Sequence, residues 1–215
     1  MEIHVWSDVA CPWCYIGKRN LELALEQFSG ADDVTICWRS FELDPDAPSE
    51  RTMPMRDLLA RKYQMSPAQV DATQARITSV ASEVGLEYHL DDLRSGNTLD
   101  AHRLIHLAAS LDLAGAMKER LLRAYFTEGR LLSDHPTLIE LAGEVGLNPE
   151  LVQAMLASDA FVAEVRFDEA QAQSNGFSAV PTLVVDGRYA LSGAQPPEML
   201  LKMLERAASE REASA

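Results

Sequence analysis

The stretch SDVACPWCYIG, residues 7–17, places two of the three cysteines of the chain, Cys11 and Cys14, on either side of Pro12-Trp13. A pair at this spacing can bind a metal, close a structural crosslink or work as a redox dithiol. Three cysteines are too few for a scaffold held together by disulfides. The surrounding sequence therefore has to decide among the three chemistries.

The cysteine pair lies where a strand is followed by a helix. IHVWS, residues 3–7, predicts the first strand, and a helix is predicted from Pro12 to about Phe28, because proline suits a first helical position. Cys11 then takes the N-cap and Cys14 the first turn, where the two sulfurs can reach bonding distance. We expect Cys11 to be exposed at the helix end, where free N–H groups favour a thiolate, and Cys14 to be sheltered.

The residues around the pair favour redox chemistry over the two alternatives. A zinc site usually needs four ligands, and the chain has neither a second Cys-x-x-Cys nor histidines paired with the cysteines at finger spacing. A crosslink closing so short a loop contributes little stability on loop-entropy grounds. The third cysteine, Cys37, falls in a predicted strand and is expected to be a buried small hydrophobe. The prediction is a nucleophilic Cys11, a resolving Cys14, and no bound metal or cofactor.

Composition and charge limit the partners. The chain has 215 residues, 47% of them hydrophobic, which is ample for a packed core. A formal charge of −14 opposes binding to nucleic acid and to anionic membranes. No apolar run approaches the length of about 18 residues that a membrane span requires, and the N-terminal MEIHVWSDVA lacks the features of a signal peptide. We therefore expect a cytoplasmic protein with no nucleic-acid or membrane partner.

Hydrophobic patterns predict the element order β-α-β, a helical block, and α-β-β-α. The block extends from about residue 55 to 157, and a helix capped by Asp159 is expected to run to about Ser174. The remaining predicted elements are a strand at 34–43, strands at 182–185 and 188–192 joined by an Asp186-Gly187 turn, and a helix from Pro197. The fold class is therefore α/β. Residues 1–50 and 158–215 are predicted to form one discontinuous domain, and residues 51–157 an inserted α-helical domain.

Several short segments together carry a resemblance to a known family. They are SDVACPWCYIGK (7–18), FELDP (41–45), NTLDAHRL (97–104), AVPTLVVDG (179–187) and YALSGAQ (189–195). In this order they resemble the DsbA-like thiol–disulfide oxidoreductases of the thioredoxin superfamily, and more specifically the FrnE branch, known from polyketide-antibiotic gene clusters. The likeness covers essentially the whole chain. It implies a thioredoxin-like fold with a large α-helical insertion.

The resemblance implies roles for residues beyond the cysteines. Pro181 is expected to be cis and to lie beside the pair, and the backbone of Val180 to pair with an extended substrate segment. Pro12 and Trp13 are expected to tune the redox potential by shaping the helix start. The chain has no histidine between its cysteines, unlike DsbA itself, so strong oxidising power is not carried over.

Three further residues have both a functional and a plain structural interpretation. Asn97 and His102 begin a predicted helix that, by the resemblance, faces the active site, so both are predicted to contribute to substrate binding. The structural alternative is a helix cap followed by a core or surface histidine. Asp8, three residues before Cys11, either perturbs the thiol or only ends the strand.

These observations predict a protein disulfide oxidoreductase or isomerase that acts on a protein or small-molecule thiol or disulfide, with glutathione as a candidate co-substrate. An alternative is a glutathione-dependent isomerase or transferase acting on a small aromatic or polyketide-like molecule. The 2-hydroxychromene-2-carboxylate isomerases and kappa-class glutathione transferases resemble the chain in layout, but generally carry serine in place of the nucleophilic cysteine. A redox-inactive binding or chaperone module is the third hypothesis.

Overall fold

A computed structural model describes residues 1–213 and confirms the predicted α/β class and order of elements. The strands are β1 (Glu2–Ser7), β2 (Thr35–Ser40), β3 (Thr182–Val185) and β4 (Tyr189–Ser192). The helices are α1 (Pro12–Leu25), α2 (Met55–Tyr63), α3 (Pro67–Glu83), α4 (Leu99–Ala109), α5 (Ala114–Phe126), α6 (His135–Glu144), α7 (Pro149–Leu156), α8 (Val162–Ser174) and α9 (Pro197–Glu212). No helix of the described residues is long and apolar enough to cross a membrane.

The strands form one mixed sheet in the order β2-β1-β3-β4. β1 and β2 are parallel, as the crossover through α1 requires, and the β1–β3 and β3–β4 pairs are antiparallel. Asp186 and Gly187 both have positive φ, 48° and 66°, as a two-residue hairpin turn demands. The turn predicted from this dipeptide is therefore confirmed.

Helices cover both faces of the sheet. On one face Ile3 and Val5 of β1 pack with Leu21 of α1 and Leu204 of α9 in a buried apolar cluster. On the other face Trp6 donates its indole N–H to a backbone oxygen of α8 at 2.9 Å. This arrangement fixes the end of β1, and with it the start of α1, between two packed layers.

The helical block packs on the side of α1 that faces away from the sheet. Tyr15 and Ile16 of α1 join a large buried cluster built mainly by the helices between α3 and α7. Two side-chain bonds reinforce this contact: the Tyr15 hydroxyl donates to Glu119 at 2.6 Å, and the Tyr88 hydroxyl donates to the Pro12 carbonyl at 2.7 Å. The division into two domains stays a prediction, but the core continues across the proposed boundary.

β2 ends at Ser40, three residues before the predicted end of the strand. The reason is that side-chain carboxylates take up backbone N–H groups at the end of the strand and just beyond it. The Ser40 N–H donates to Asp168 at 2.9 Å, and the Leu43 N–H donates to Asp8 at 2.8 Å. The chain therefore leaves the sheet and passes over the C-terminal end of β1.

Two helix boundaries also differ from prediction. α1 ends at Leu25 instead of Phe28, whose ring turns into the core. α8 begins at Val162 instead of directly after Asp159. There the buried Arg103 guanidinium binds the carbonyl oxygens of Met155, Ser158 and Ala160, which hold the preceding segment in a non-helical path.

Candidate active site

The structure places the cysteine pair at the start of α1, where the sequence predicted it. Cys11 is the N-cap with an extended backbone, Pro12 is the first helical residue, and the Cys14 N–H donates to the Cys11 carbonyl at 3.0 Å. Both cysteines are free thiols. The two sulfurs are within hydrogen-bonding reach of each other at the end of the helix.

The expectation that Cys11 is exposed is wrong. Cys11 is only 4% exposed and Cys14 only 2%. The loop before β3 covers the N-cap, and the Cys11 sulfur donates to the Val180 carbonyl at 3.6 Å instead of bonding to the first N–H groups of α1. Helix position alone could not reveal this cover, because it comes from a segment about 170 residues further along the chain.

The loop that covers Cys11 packs closely on α1. The Val180–Pro181 peptide bond is cis. A Cβ atom placed on Gly17 would lie 2.9 Å from the Pro181 ring, so only glycine allows this approach. The same loop is tied to β4 by a bond from the Gly193 N–H to the Pro181 carbonyl at 2.8 Å. Pro181 and Val180 are thereby held against the cysteine pair.

Lys118 of α5 is a charged residue at the site that the sequence reasoning missed. It is 1% exposed, and its ammonium donates to the Ser7 carbonyl at 3.3 Å. Burial lowers the pKa of Lys118 to about 8, against the attraction of Cys14 and Asp8. The available signal was a lysine on the apolar face of α5, at helical spacing from Leu121 and Leu122.

Cys14 has an unfavourable environment for a thiolate. Burial raises the pKa of Cys14 well above its ordinary value, and the neighbouring Cys11 raises it further. The Lys118 ammonium acts in the opposite direction and lowers it. Cys14 is therefore a protonated, sheltered thiol whose ionisation depends on a cation supplied by the helical block.

Asp8 lies fully enclosed beside the pair, at 1% exposure. Its oxygens accept from the N–H groups of Ala10 and Leu43 and from Nε2 of His102, at 3.2, 2.8 and 3.3 Å. Burial raises the pKa of Asp8, but these bonds outweigh that effect and hold it below its usual value. Burial lowers the pKa of His102, so a neutral imidazole donates to a carboxylate.

His102 and Asn97 do not contact the space beside Cys11. His102 lies behind Asp8, at 1% exposure. The Asn97 side chain donates to the Pro45 carbonyl at 3.1 Å and accepts from the Leu99 N–H at 2.8 Å. His102 thus positions Asp8, and Asn97 joins a loop to the start of α4. Direct substrate binding by either residue stays a prediction.

A cavity of about 560 Å³ lies beside the pair. Its wall on one side is the first turn of α1, where Trp13 is half-buried, and the loop that contains Val180. α2, α3 and the end of α5 form the other walls. Cys11 belongs to the lining, so its buried sulfur is reached from this cavity.

Cys37 is half-exposed, contrary to the prediction of a buried residue. Its sulfur donates to Glu2 at 3.2 Å, and burial together with this carboxylate raises the pKa of Cys37 to about 11. Ligand atoms of Glu2, His4 and Cys37 lie within 4.8 Å of one another. Arg39 donates to Nδ1 of His4 at 3.0 Å, however, so this nitrogen is already engaged and is not free to bind a metal.

Comparison with known proteins identifies the family. A model of the DSBA-like thioredoxin domain matches residues 2–205. The chain belongs to this family. A probable DsbA oxidoreductase of Streptomyces coelicolor is 40% identical to this DsbA-like protein, and its crystal structure superposes with a TM-score of 0.93 over 98% of this chain and 91% of that one.

Two more distant structures share the fold of the DsbA-like protein. The cytosolic disulfide reductase DsbM of Pseudomonas aeruginosa is 23% identical, with a TM-score of 0.68 over 97% of this chain and 99% of that one. A 2-hydroxychromene-2-carboxylate isomerase is 15% identical, with a TM-score of 0.76 over the full length of both chains. The resemblance in layout to both kinds of protein, expected from the sequence, is confirmed.

Proposed function

We propose that this DsbA-like protein is a disulfide oxidoreductase or isomerase acting by dithiol–disulfide exchange at Cys11-Pro12-Trp13-Cys14. The observation that carries the proposal is the placement of Cys11. Its sulfur lies at the N-cap of α1, 3.6 Å from the Val180 carbonyl, at the wall of a cavity, with Cys14 one helical turn away. Such an arrangement supports attack by one sulfur and release by the other.

The exchange balances without a further cofactor. The Cys11 thiolate attacks one sulfur of a substrate disulfide, a bond forms between them, and the other substrate sulfur leaves as a thiolate that takes up a proton. Cys14 then loses its proton and attacks the Cys11 sulfur. A Cys11–Cys14 disulfide forms, the second substrate thiol is released, and the substrate has gained two electrons. A thiol reductant such as glutathione would regenerate the dithiol, and the reverse sequence would oxidise a substrate dithiol.

The other residues of the site have supporting roles in this proposal. Val180 offers backbone groups to an extended substrate segment, and Pro181, which has no N–H, shapes the groove beside the sulfurs. Pro12 and Trp13 set the helix start and the surroundings of the Cys11 sulfur, and through them the redox potential. The similar Pseudomonas aeruginosa reductase is cytosolic, which supports a cytoplasmic location for this protein as well.

A glutathione-dependent isomerase or transferase remains the alternative, favoured by the small-molecule-sized cavity beside Cys11. A solved structure of the Pseudomonas aeruginosa reductase contains glutathione, which supports glutathione as a co-substrate in either case. The buried Cys14 favours disulfide exchange, since an isomerase has no use for a resolving thiol. An isomerase would keep its activity in a Cys14→Ser variant.

Single cysteine replacements test the proposed function. Cys11→Ser is expected to abolish reduction of insulin disulfides and oxidation of a dithiol peptide, because the attacking sulfur is gone. Cys14→Ser is expected to accumulate mixed disulfides on Cys11, detectable by mass spectrometry. Cys37→Ser is the matched control and should retain wild-type activity, since this thiol is protonated and lies away from the pair. Full activity of the Cys11→Ser protein would refute the proposal and favour a redox-inactive binding module.

A further inference from the structure

The cavity beside Cys11 has mainly apolar walls, and the apolar side of α2 forms part of them. Met55, Leu58 and Leu59 on α2 line the cavity, although no residue of α2 is fully buried. Opposite them stand the buried rings of Tyr125 and Phe126. The apolar side of α2 therefore faces an open space. A volume of about 560 Å³ falls in the range of pockets for small molecules.

Two buried polar side chains in the lining have no hydrogen-bond partner within the described part of the chain. Gln74 of α3 is 9% exposed and Thr98, which precedes α4, is 6% exposed. Neither side chain bonds to another described residue. The polar atoms of both side chains are not sealed from solvent, so the amide and the hydroxyl are free to bond to polar atoms of a ligand that enters the cavity.

The lining of the cavity contains a lysine that is not paired with a carboxylate of the described residues. Lys62, in the last turn of α2, lines the cavity, and within residues 1–213 no carboxylate lies within 4.0 Å of its ammonium. The carboxylates of the lining are already engaged: Asp44 pairs with Arg51, and Asp8 accepts three hydrogen bonds. In a chain of net charge −14, this leaves a cation available for an anionic ligand.

We propose that the cavity binds a low-molecular-weight thiol or disulfide with a ring-sized apolar body and a carboxylate. The body packs on α2 and the two rings, Gln74 and Thr98 bond to the polar atoms of the ligand, and Lys62 attracts the carboxylate. This proposal rests on the proposed function, because Cys11 exchanges with the sulfur of the bound molecule. The reaction is the exchange given above: the disulfide probe accepts two electrons and two protons and leaves as two thiols, and Cys11 and Cys14 become a disulfide.

Three disulfides distinguish the substrate class from the exchange itself. 5,5′-Dithiobis(2-nitrobenzoate) has aromatic rings and carboxylates, 4,4′-dithiodipyridine has rings only, and bis(2-hydroxyethyl) disulfide has neither. The measured quantity is the second-order rate constant for reduction of each probe by the dithiol protein. If none of the three is reduced while insulin is, the small-molecule proposal is overturned and the proposed function stands; if insulin is not reduced either, the proposed function itself fails.

Two substitutions test the polar contacts. Lys62→Met should lower the rate constant for the nitrobenzoate probe about twofold to fivefold, as expected for one exposed ion pair. Gln74→Leu should lower it about twofold to tenfold, as expected for one hydrogen bond. In the Lys62→Met protein both probes without a carboxylate should react as with the wild type. Lys202→Met, at another exposed lysine, on α9, is the matched control and should change none of the three rates.

A third substitution tests the occupied volume. Leu59→Trp fills the cavity from α2, so it should slow both aromatic probes about tenfold or more while the hydroxyethyl disulfide reacts as before. The proposal is overturned if Lys62→Met lowers stability but leaves the ratio of the two aromatic rates unchanged, because Lys62 then only complements the α2 dipole. It is also overturned if Leu59→Trp slows insulin reduction and spares the aromatic probes, because the occupant is then a polypeptide.

Discussion

Lys118 is the residue through which the helical block acts on the chemistry of the cysteine pair. Its buried ammonium is the nearby cation that favours the Cys14 thiolate, against burial and against Cys11. Cys14 needs this help in the second half of the exchange, when it must ionise to attack the mixed disulfide. Because the pKa of Lys118 is lowered to about 8, the ammonium persists at neutral pH and is lost as the pH rises above that value.

Replacing Lys118 by methionine should slow release of the bound substrate. Without the ammonium the pKa of Cys14 rises further, so fewer Cys14 thiolates form at a given pH. We expect release from a Cys11 mixed disulfide to be about tenfold slower at neutral pH. The difference from the wild type should disappear above about pH 8, where Lys118 itself loses its charge. Stopped-flow measurement of a fluorescent leaving thiol across the neutral and alkaline range checks this.

Lys18→Met is the matched control for that prediction. Lys18 is also nearly buried, at 6% exposure, but its ammonium bonds to the carboxylates of Glu22 and Glu119. Removing the Lys18 ammonium should lower the stability of the protein without changing the pH dependence of substrate release. Identical profiles for wild type and Lys118→Met would show that Lys118 serves packing alone.

At the scale of elements, the site depends on how closely α1 and the loop before β3 approach each other. Gly17 permits this approach, since a Cβ atom there would meet the Pro181 ring at 2.9 Å. A glycine inside a helix normally costs up to about 1 kcal/mol relative to alanine. Glycine at position 17 is destabilising for the helix itself, but it allows the loop to cover Cys11.

Gly17→Ala should separate the two elements. We expect the free energy of unfolding to fall by about 1–3 kcal/mol, the usual cost of overpacking, and disulfide exchange to slow as the loop shifts from Cys11. Gly143→Ala in α6, where no atom would lie within 4 Å of the new Cβ, should instead raise stability by up to about 1 kcal/mol. Denaturant unfolding with insulin reduction measures both effects, and equal stability changes in the two variants would contradict the explanation.

Most elements could be predicted from local signals, because those signals act within a few residues. Ser66 and Gln69 form a capping box at the start of α3, and Asp186-Gly187 carries the hairpin turn. The missed features are long-range. The burial of Cys11 under Val180 and the placement of Lys118 behind Cys14 both require contacts between residues more than 100 positions apart, which no local pattern encodes.

At the scale of the whole molecule, the helical block and the sheet share one core through α1. Ile16 and Tyr15 pack with the block, while Leu21 of the same helix packs with the sheet. Neither part can lose its structure without exposing one side of α1. Unfolding is therefore expected to be a single cooperative transition, although residues 51–157 are inserted as a unit in the sequence.

Core truncations on the two sides of α1 test this cooperativity. Leu104→Ala in α4 and Leu204→Ala in α9, both at fully buried positions, should each lower the same transition by about 2–5 kcal/mol. Far-ultraviolet circular dichroism and tryptophan fluorescence in denaturant should give coincident curves for both variants. Two separated transitions, with only one displaced by Leu104→Ala, would instead indicate independently folding domains.

The absence of buried residues in α2 has a consequence for how such a protein diversifies. The helix faces the cavity, and within it Met55 alone packs against the large core cluster, so changes further along the helix alter what fits beside Cys11 at little expense to folding. Different parts of the chain thus determine substrate preference and the stability of the fold. Relatives that keep the cysteine pair and vary α2 would inherit one reaction and direct it to different molecules.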